Sequence, residues 1–316
     1  MLSYLNRAVP IETLLSDDDP ETRQFVERVL DIRRFATEEL GLKESSNYTR
    51  YVALDRDYLA AVVSGSAKDS FTRHYWWFPV VGRLPYKGFF NSDHARREAE
   101  RLRRRDLDVL VRQVDAFSTL GWFSDPLFSY MRNYPVYRLA DLIIHETVHA
   151  TVYLRGHSQF NEELAEFIGS EAARFYMERT FGIDSEEYQQ MLTSQADTAA
   201  FVGFLQSLIA ELEVLYNSDK SREEKLEQRE VIIQNAQRRF DEEYDNLFLT
   251  DNFRAFSSRY INNAYLDLYR LYYSGGSYLR ELYERSGSDL PRFIAAAKSL
   301  SPRRNPLRQL EDALLR

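Results

Sequence analysis

The sequence predicts a mainly α protein of the α+β class: a small β-sheet near the N-terminus, then a long helical remainder. Three observations predict it. Residues 49–90 are rich in Tyr, Trp, Phe and Val and punctuated by Gly and Pro, which reads as a few strands. From Asn91 onward apolar residues recur mostly at helical spacing. The 316 residues are 44% apolar and 28% charged, a normal globular composition able to bury a sizeable core. Such a length is one large domain or two modest ones. The division expected is an α+β part over 1–182 and a helical part over 183–316, or one continuous domain.

The first helix is predicted over 17–42. Asp17, Asp18 and Asp19 lie before Pro20, Phe25, Val29, Ile32 and Phe35 follow at helical spacing, and Gly41 closes it. The strand region follows and is the only β region expected. Helices are then predicted near 92–115, 124–132, 136–154 and 160–182, and over a long stretch from about 187 to 248 broken near Asn217-Ser218-Asp219. The second half of that stretch is highly charged, with Leu226, Val231, Ile232 and Phe240 as the packing stripe of a solvent-facing helix. Helices near 254–273, 276–286 and 289–299 complete the prediction. Trp76, Trp77 and Trp122 are expected in the core.

Composition removes several classes of function. The net charge of -8 disfavours a nucleic-acid partner, which needs a basic face. The basic run Arg101 to Arg105 reads as one face of a solvated helix. With no cysteine there is no disulfide, no thiol catalysis and no Cys-based zinc site. No run of about 18 apolar residues stands out, so no transmembrane helix is expected. The first twenty residues lack a basic segment followed by an apolar one, so the chain is expected to be cytoplasmic or to have lost a targeting segment.

Three of the five histidines fall within thirteen residues: His145, His149 and His157. Ile143-Ile144-His145-Glu146-Thr147-Val148-His149 is an HExxH motif. Residues i and i+4 share a helix face, so both imidazoles can reach one ion, and Glu146 can point at a metal-bound water. The apolar flanks Leu142, Ile143, Ile144 and Val148 imply a buried helix, where polar groups need a partner. A pair of hydrogen-bonded core histidines with a salt-bridged Glu146 is the bland alternative.

A catalytic zinc site takes three protein ligands and a water. The pattern with a third histidine six residues after the second fails, because position 155 is Arg155 and position 152 is Val152. His157 reads as a loop histidine beside Gly156. Glu162 fits better: a turn over His157-Ser158-Gln159 and a second helix from near Phe160 would bring it back towards His145 and His149. Glu166, one turn on, would accept a hydrogen bond from a ligand imidazole, or equally is a surface carboxylate. Glu163 points elsewhere. The expected cofactor is Zn2+, the expected partner a peptide, and the reaction hydrolysis by a metal-activated water with Glu146 as general base. The alternative is a zinc- or peptide-binding protein without turnover.

HETVH followed by FNEELAEF resembles the HExxH…NExxA signature of gluzincin peptidases. The chain resembles more closely the bacterial putative aminopeptidase family, through FPVVGRLPYKGFF (78–90), STLGWFSDP (118–126) and NNAYLDLYRLY (262–272). The resemblance covers most of the chain and implies zincin-like active-site helices and an exopeptidase. It also implies a Tyr or His that stabilises the oxyanion, for which Tyr272 is the candidate. A segment like GxMEN, with which one branch of gluzincins grips the substrate's free amine, is not found.

Overall fold

A computed structural model of the chain describes residues 7–79, 82–114, 125–272 and 276–315. The described residues are mainly helical with small sheets, as the composition and periodicity predict. They form two compact units, each assembled from separated stretches: residues 1–57, 118–191 and 275–316, and residues 58–117 and 192–274.

The first unit holds a short sheet and most of its mass in helices. Strand β1 (Val9–Pro10) runs antiparallel to β2 (Arg50–Val52), and β2 runs parallel to β8 (Leu127–Phe128). Helix α1 (Pro20–Glu38) is shorter than the 17–42 predicted and starts three residues later, because Asp19 caps it, accepting from the Glu21 backbone N–H at 3.2 Å and from the Thr22 hydroxyl at 2.7 Å. Its inner face buries Phe25, Val26, Val29, Ile32 and Phe35. Helices α3 (Val136–Thr151) and α4 (Ser158–Phe181) form an antiparallel pair joined by a turn in which Gly156 adopts φ 86°, open to glycine. Helices α8 (Gly276–Arg285), α9 (Leu290–Lys298) and α10 (Pro306–Leu315) complete the unit. Helix α4 is tied on three sides. The Tyr176 hydroxyl donates to Asp31 of α1 at 2.8 Å, Arg280 of α8 pairs with buried Glu171 at 2.7 Å, and Phe167 packs on Tyr283 and Phe293.

The second unit carries the main antiparallel sheet, in the order β6 (Tyr86–Phe89), β3 (Ala60–Ala67), β7 (Leu107–Val114). A hairpin of β4 (Trp76–Phe78) and β5 (Gly82–Leu84) lies beside it in sequence. One sheet face packs under α2 (Ser92–Arg103), where Ala61, Val63, Trp76 and Val109 meet Ala95, Ala99 and Leu102. A second core joins α5 (Glu186–Tyr216), α6 (Arg222–Leu247) and α7 (Asn263–Tyr272) around Phe201, Leu205, Phe240, Phe256 and Tyr265. Ser221 caps α6 with a reciprocal Ser221–Glu224 capping box, which accounts for the break before it.

Several expectations are corrected. The helix expected over 92–115 ends at Arg103; Asp106 at φ 60° turns the chain, and Leu107–Val114 pairs along the whole of β3. Its alternation of Leu107, Val109 and Val111 with Asp108, Leu110 and Arg112 is a strand period hidden behind the arginine run. The expected helix 124–132 is β8 and a 3-10 turn over Ser129–Asn133 in its described part. Helix α10 was not anticipated, and only a 3-10 turn (Arg254–Phe256) precedes α7 in the expected 254–273 helix. Trp76 is buried, but Trp77 is 70% exposed because it is the outward residue of β4; Trp122 lies outside the described residues. Val231 faces outward on α6, whose inner stripe is Arg229, Ile233, Ala236, Phe240 and Tyr244. Finally, α5 is by length and composition apolar enough to cross a membrane, contrary to the expectation that no segment is. Phe201, Leu205, Leu208 and Leu212 of that helix are buried in the second unit's core.

Candidate metal centre

The centre lies in the first unit, on α3 and α4. Leu139, Ala140, Ile143, Ile144 and Val148 bury one side of α3, each large aliphatic contributing about 1.5–3 kcal/mol when fully buried. The same burial carries Glu146 and His149 out of solvent, at 7% and 6% exposure. The chain reverses after Thr151. Asn161 fixes the return: its side-chain oxygen accepts from the Leu154 N–H and its amide donates to the Leu154 carbonyl, both at 3.0 Å. With the turn so clasped, the next residue, Glu162, faces α3.

His145 Nε2 and His149 Nε2 stand 3.1 Å apart. The Glu162 carboxylate oxygens are 3.8 Å from His145 Nε2 and 3.6 Å from His149 Nε2. Tetrahedral bonds of roughly 2.05 Å to zinc would separate ligand atoms by about 3.3 Å, so the three donors stand near the edges such a site requires. Among the described residues no other group of three His, Cys, Asp or Glu converges in this way. Two imidazoles and one carboxylate are also the donor chemistry zinc takes in hydrolytic sites.

The electrostatics are those of a buried acid–imidazole cluster. Burial works to raise the Glu162 pKa, but contact with His145 and His149 brings it down to about 2. For His145 burial works downward, and Glu162, Glu146 and Asp141 outweigh it, so its pKa rises. Glu146 is raised, chiefly by burial, with the imidazoles opposing.

Glu166 lies close enough to His145 to feel its charge, and burial raises its pKa. Among the described residues no hydrogen bond joins it to either imidazole. His157 stands just before α4 with Nε2 3.0 Å from the Pro302 carbonyl, and Glu163 accepts from Gln159 at 2.8 Å. Tyr272 ends α7 in the second unit, and its side chain lies outside the described residues. Most of 118–126 is likewise outside them.

Sequence reasoning missed four residues that shape the centre. Asp141 stands one turn before His145, and burial raises its carboxyl to about 6. Gly169 lets α4 approach it: a Cβ there would lie 2.7 Å from Asp141 Oδ1, 3.2 Å from the Asp141 carbonyl oxygen and 3.3 Å from His145 Cβ. A glycine in mid-helix is the signal that could have found this crossing. Asp125 and Tyr48, beside Glu146, carry no such signal. Gly169→Ala should gain about 1 kcal/mol of helix propensity and lose about 2–3 kcal/mol to overpacking, a net loss in denaturant unfolding. An unchanged or raised midpoint would show that the crossing relaxes freely.

A closely packed helix pair that converges two imidazoles and a carboxylate on one point defines the class: a protein with a preformed tridentate donor set. The family model described as Putative aminopeptidase matches residues 1–311, and the chain belongs to that family. The family's description implies a peptidase. Neither a curated protein nor a solved structure matches the chain.

Proposed function

We propose that the chain is a zinc-dependent peptidase of the gluzincin type, with His145, His149 and Glu162 as metal ligands and Glu146 as general base. The observation that carries the reading is the convergence of those three donors with a buried carboxylate one residue after the first of them. A zinc ion held by these residues would supply a water of pKa about 7 and a Lewis acid for the scissile carbonyl.

The chain's own residues do the rest. His145 and His149 offer Nε2 from one helix face, and Glu162, held ionised by their proximity, supplies the third donor. Burial raises Glu146, which suits it to hold a proton taken from the nucleophile and to release it to the departing amine. The clasp of Asn161 on Leu154 keeps α4 in register with α3, so a small shift there would separate Glu162 from the imidazoles.

Metal analysis of the full chain purified without chelators tests the ligand set. One zinc per chain is expected in the wild type. His149→Ala and Glu162→Ala are each expected to weaken zinc binding by about 100-fold or more. A wild type that takes up no zinc would remove the proposal, and full retention by Glu162→Ala would assign the third ligand elsewhere.

A further inference from the structure

Strand β3 alternates its faces. Ala61 and Val63 pack against α2, so Val62, Ser64 and Ser66 face the other way, towards α7. The register sets their neighbours on that face. Asp108 of β7 stands opposite Ser66, Leu110 opposite Ser64 and Arg112 opposite Val62. On β6, Tyr86 stands opposite Ser64 and Gly88 opposite Val62. Ala264, Asp267 and Leu268, three and four residues apart on α7, lie over this surface. Gly88 puts no side chain on the sheet at the Val62 end, and a cleft remains between sheet and helix. It measures about 30 Å³, room for roughly two waters. Val62, Pro85, Ala264 and Leu268 give it apolar walls, and Ser64, Arg73, Arg112 and Asp267 line it with polar groups.

The charges of this corner do not cancel. Asp267 accepts from the Ser66 hydroxyl at 2.9 Å and from Arg270 at 3.1 Å, and it stands 3.4 Å from Arg73 Nε. Arg73 also donates to the Asp267 carbonyl at 3.3 Å, and Arg270 to Glu213 at 2.7 Å. Two guanidiniums and two carboxylates thus satisfy one another. Arg112 is left over: it is half-buried on β7 and, among the described residues, has no ion pair and no hydrogen bond. The Ser64 hydroxyl, diagonal to it across the strands, likewise has no described partner. The chain carries 49 acidic residues against 41 Lys and Arg, so acids are plentiful, yet none is placed against Arg112 among the described residues.

We propose that this cleft binds the carboxylate of a small aliphatic acid, with Arg112 gripping both oxygens and the Ser64 hydroxyl donating a further hydrogen bond. A guanidinium presents its donors as a planar fork that matches the two oxygens of a carboxylate. The apolar walls suit a tail of a few carbons, and the volume admits little more. Phosphate would press polar oxygens against Val62, Pro85 and Leu268, where they find no donor. The site lies wholly within the second unit, so it takes nothing from the metal centre or from the peptidase reading.

Propionate, its neutral isostere propionamide and inorganic phosphate test the site on the full chain by ligand-observed NMR. Each is measured on protein stripped of metal and again with zinc added, because a carboxylate can also ligate zinc. Propionate should bind with a Kd on the order of 1 mM in both conditions, and propionamide about 10-fold more weakly. Arg112→Met should weaken propionate binding by about 10- to 100-fold with the unfolding midpoint little changed. Arg112→Lys, which keeps the charge and loses the fork, should weaken it several-fold. A wild type that does not bind propionate, binding that needs zinc, phosphate bound as tightly as propionate, or full binding by Arg112→Met would each overturn the proposal. If Arg112→Met does not fold, Arg112→Lys decides: unchanged binding there overturns recognition by the guanidinium fork and the site with it.

Discussion

Glu146→Gln is expected to keep one zinc per chain and to lower kcat by about 10²–10⁴-fold, with KM nearly unchanged. The substitution is close to isosteric, and the side chain is 7% exposed, so the packing around α3 should survive. What disappears is basicity: an amide cannot take a proton from the nucleophile or return one to the leaving amine. Glu146 stands one residue from His145, yet it is not one of the three donors that converge, so its loss should leave them in place. Metal content and steady-state kinetics on the same preparation check both halves. Turnover within a few-fold of wild type would refute the role of base. Loss of zinc together with activity would mean that Glu146 helps hold the metal, and the ligand set would need redrawing.

How much of this was legible in the sequence follows from range. The HExxH spacing, its apolar flanks and the position of Glu162 are local facts, and the structure brings His145, His149 and Glu162 together on the helix pair that spacing implies. The mainly α class, the capped start of α1 and the break before α6 were legible for the same reason. Strand β7 was not, because its alternation follows a basic run that reads as more helix, and its strand character comes from pairing with β3 some forty residues earlier. Trp77 shows the limit of composition: a tryptophan beside a buried one is outward on a strand by the two-residue period alone. Asp125 and Tyr48 belong to segments nearly eighty residues apart, joined where Tyr48 N–H donates to the Asp125 carbonyl and Asp125 N–H to the Asn47 side-chain oxygen. Nothing in either segment announces a pairing of that range. Asp141 was within reach, since it lies four residues before His145 on the same helix face, but a carboxylate there reads equally as solvated surface.

The largest effect on stability is expected at Arg229, in the second unit. Its guanidinium is 4% exposed and pairs with Asp108, itself 3% exposed, at 2.9 Å. It also donates to the Lys68 carbonyl at 2.8 Å and to Glu230 at 2.7 Å. Asp108 in turn accepts the Asn263 backbone N–H at 3.0 Å, so the pair joins α6, β7 and the start of α7. Burial keeps the Asp108 pKa above its ordinary value even with Arg229 beside it. Arg229→Met should therefore destabilise by about 3–5 kcal/mol at neutral pH, because a buried carboxylate is left without its cation. A carboxyl whose folded pKa is raised binds its proton more tightly folded than unfolded, so it favours the folded state at low pH and loses that contribution as pH rises through the folded value. The Arg229→Met deficit should shrink on acidification, as Asp108 takes a proton. Asp108→Asn should restore much of the loss in the double variant, since the amide oxygen can still accept from Asn263 and no buried charge remains. Denaturant unfolding of the two single variants and the double variant, at neutral and mildly acidic pH, checks both claims. A double variant as unstable as Arg229→Met alone would show that the contacts to Lys68 and Glu230, not the pairing with Asp108, carry the role of this arginine.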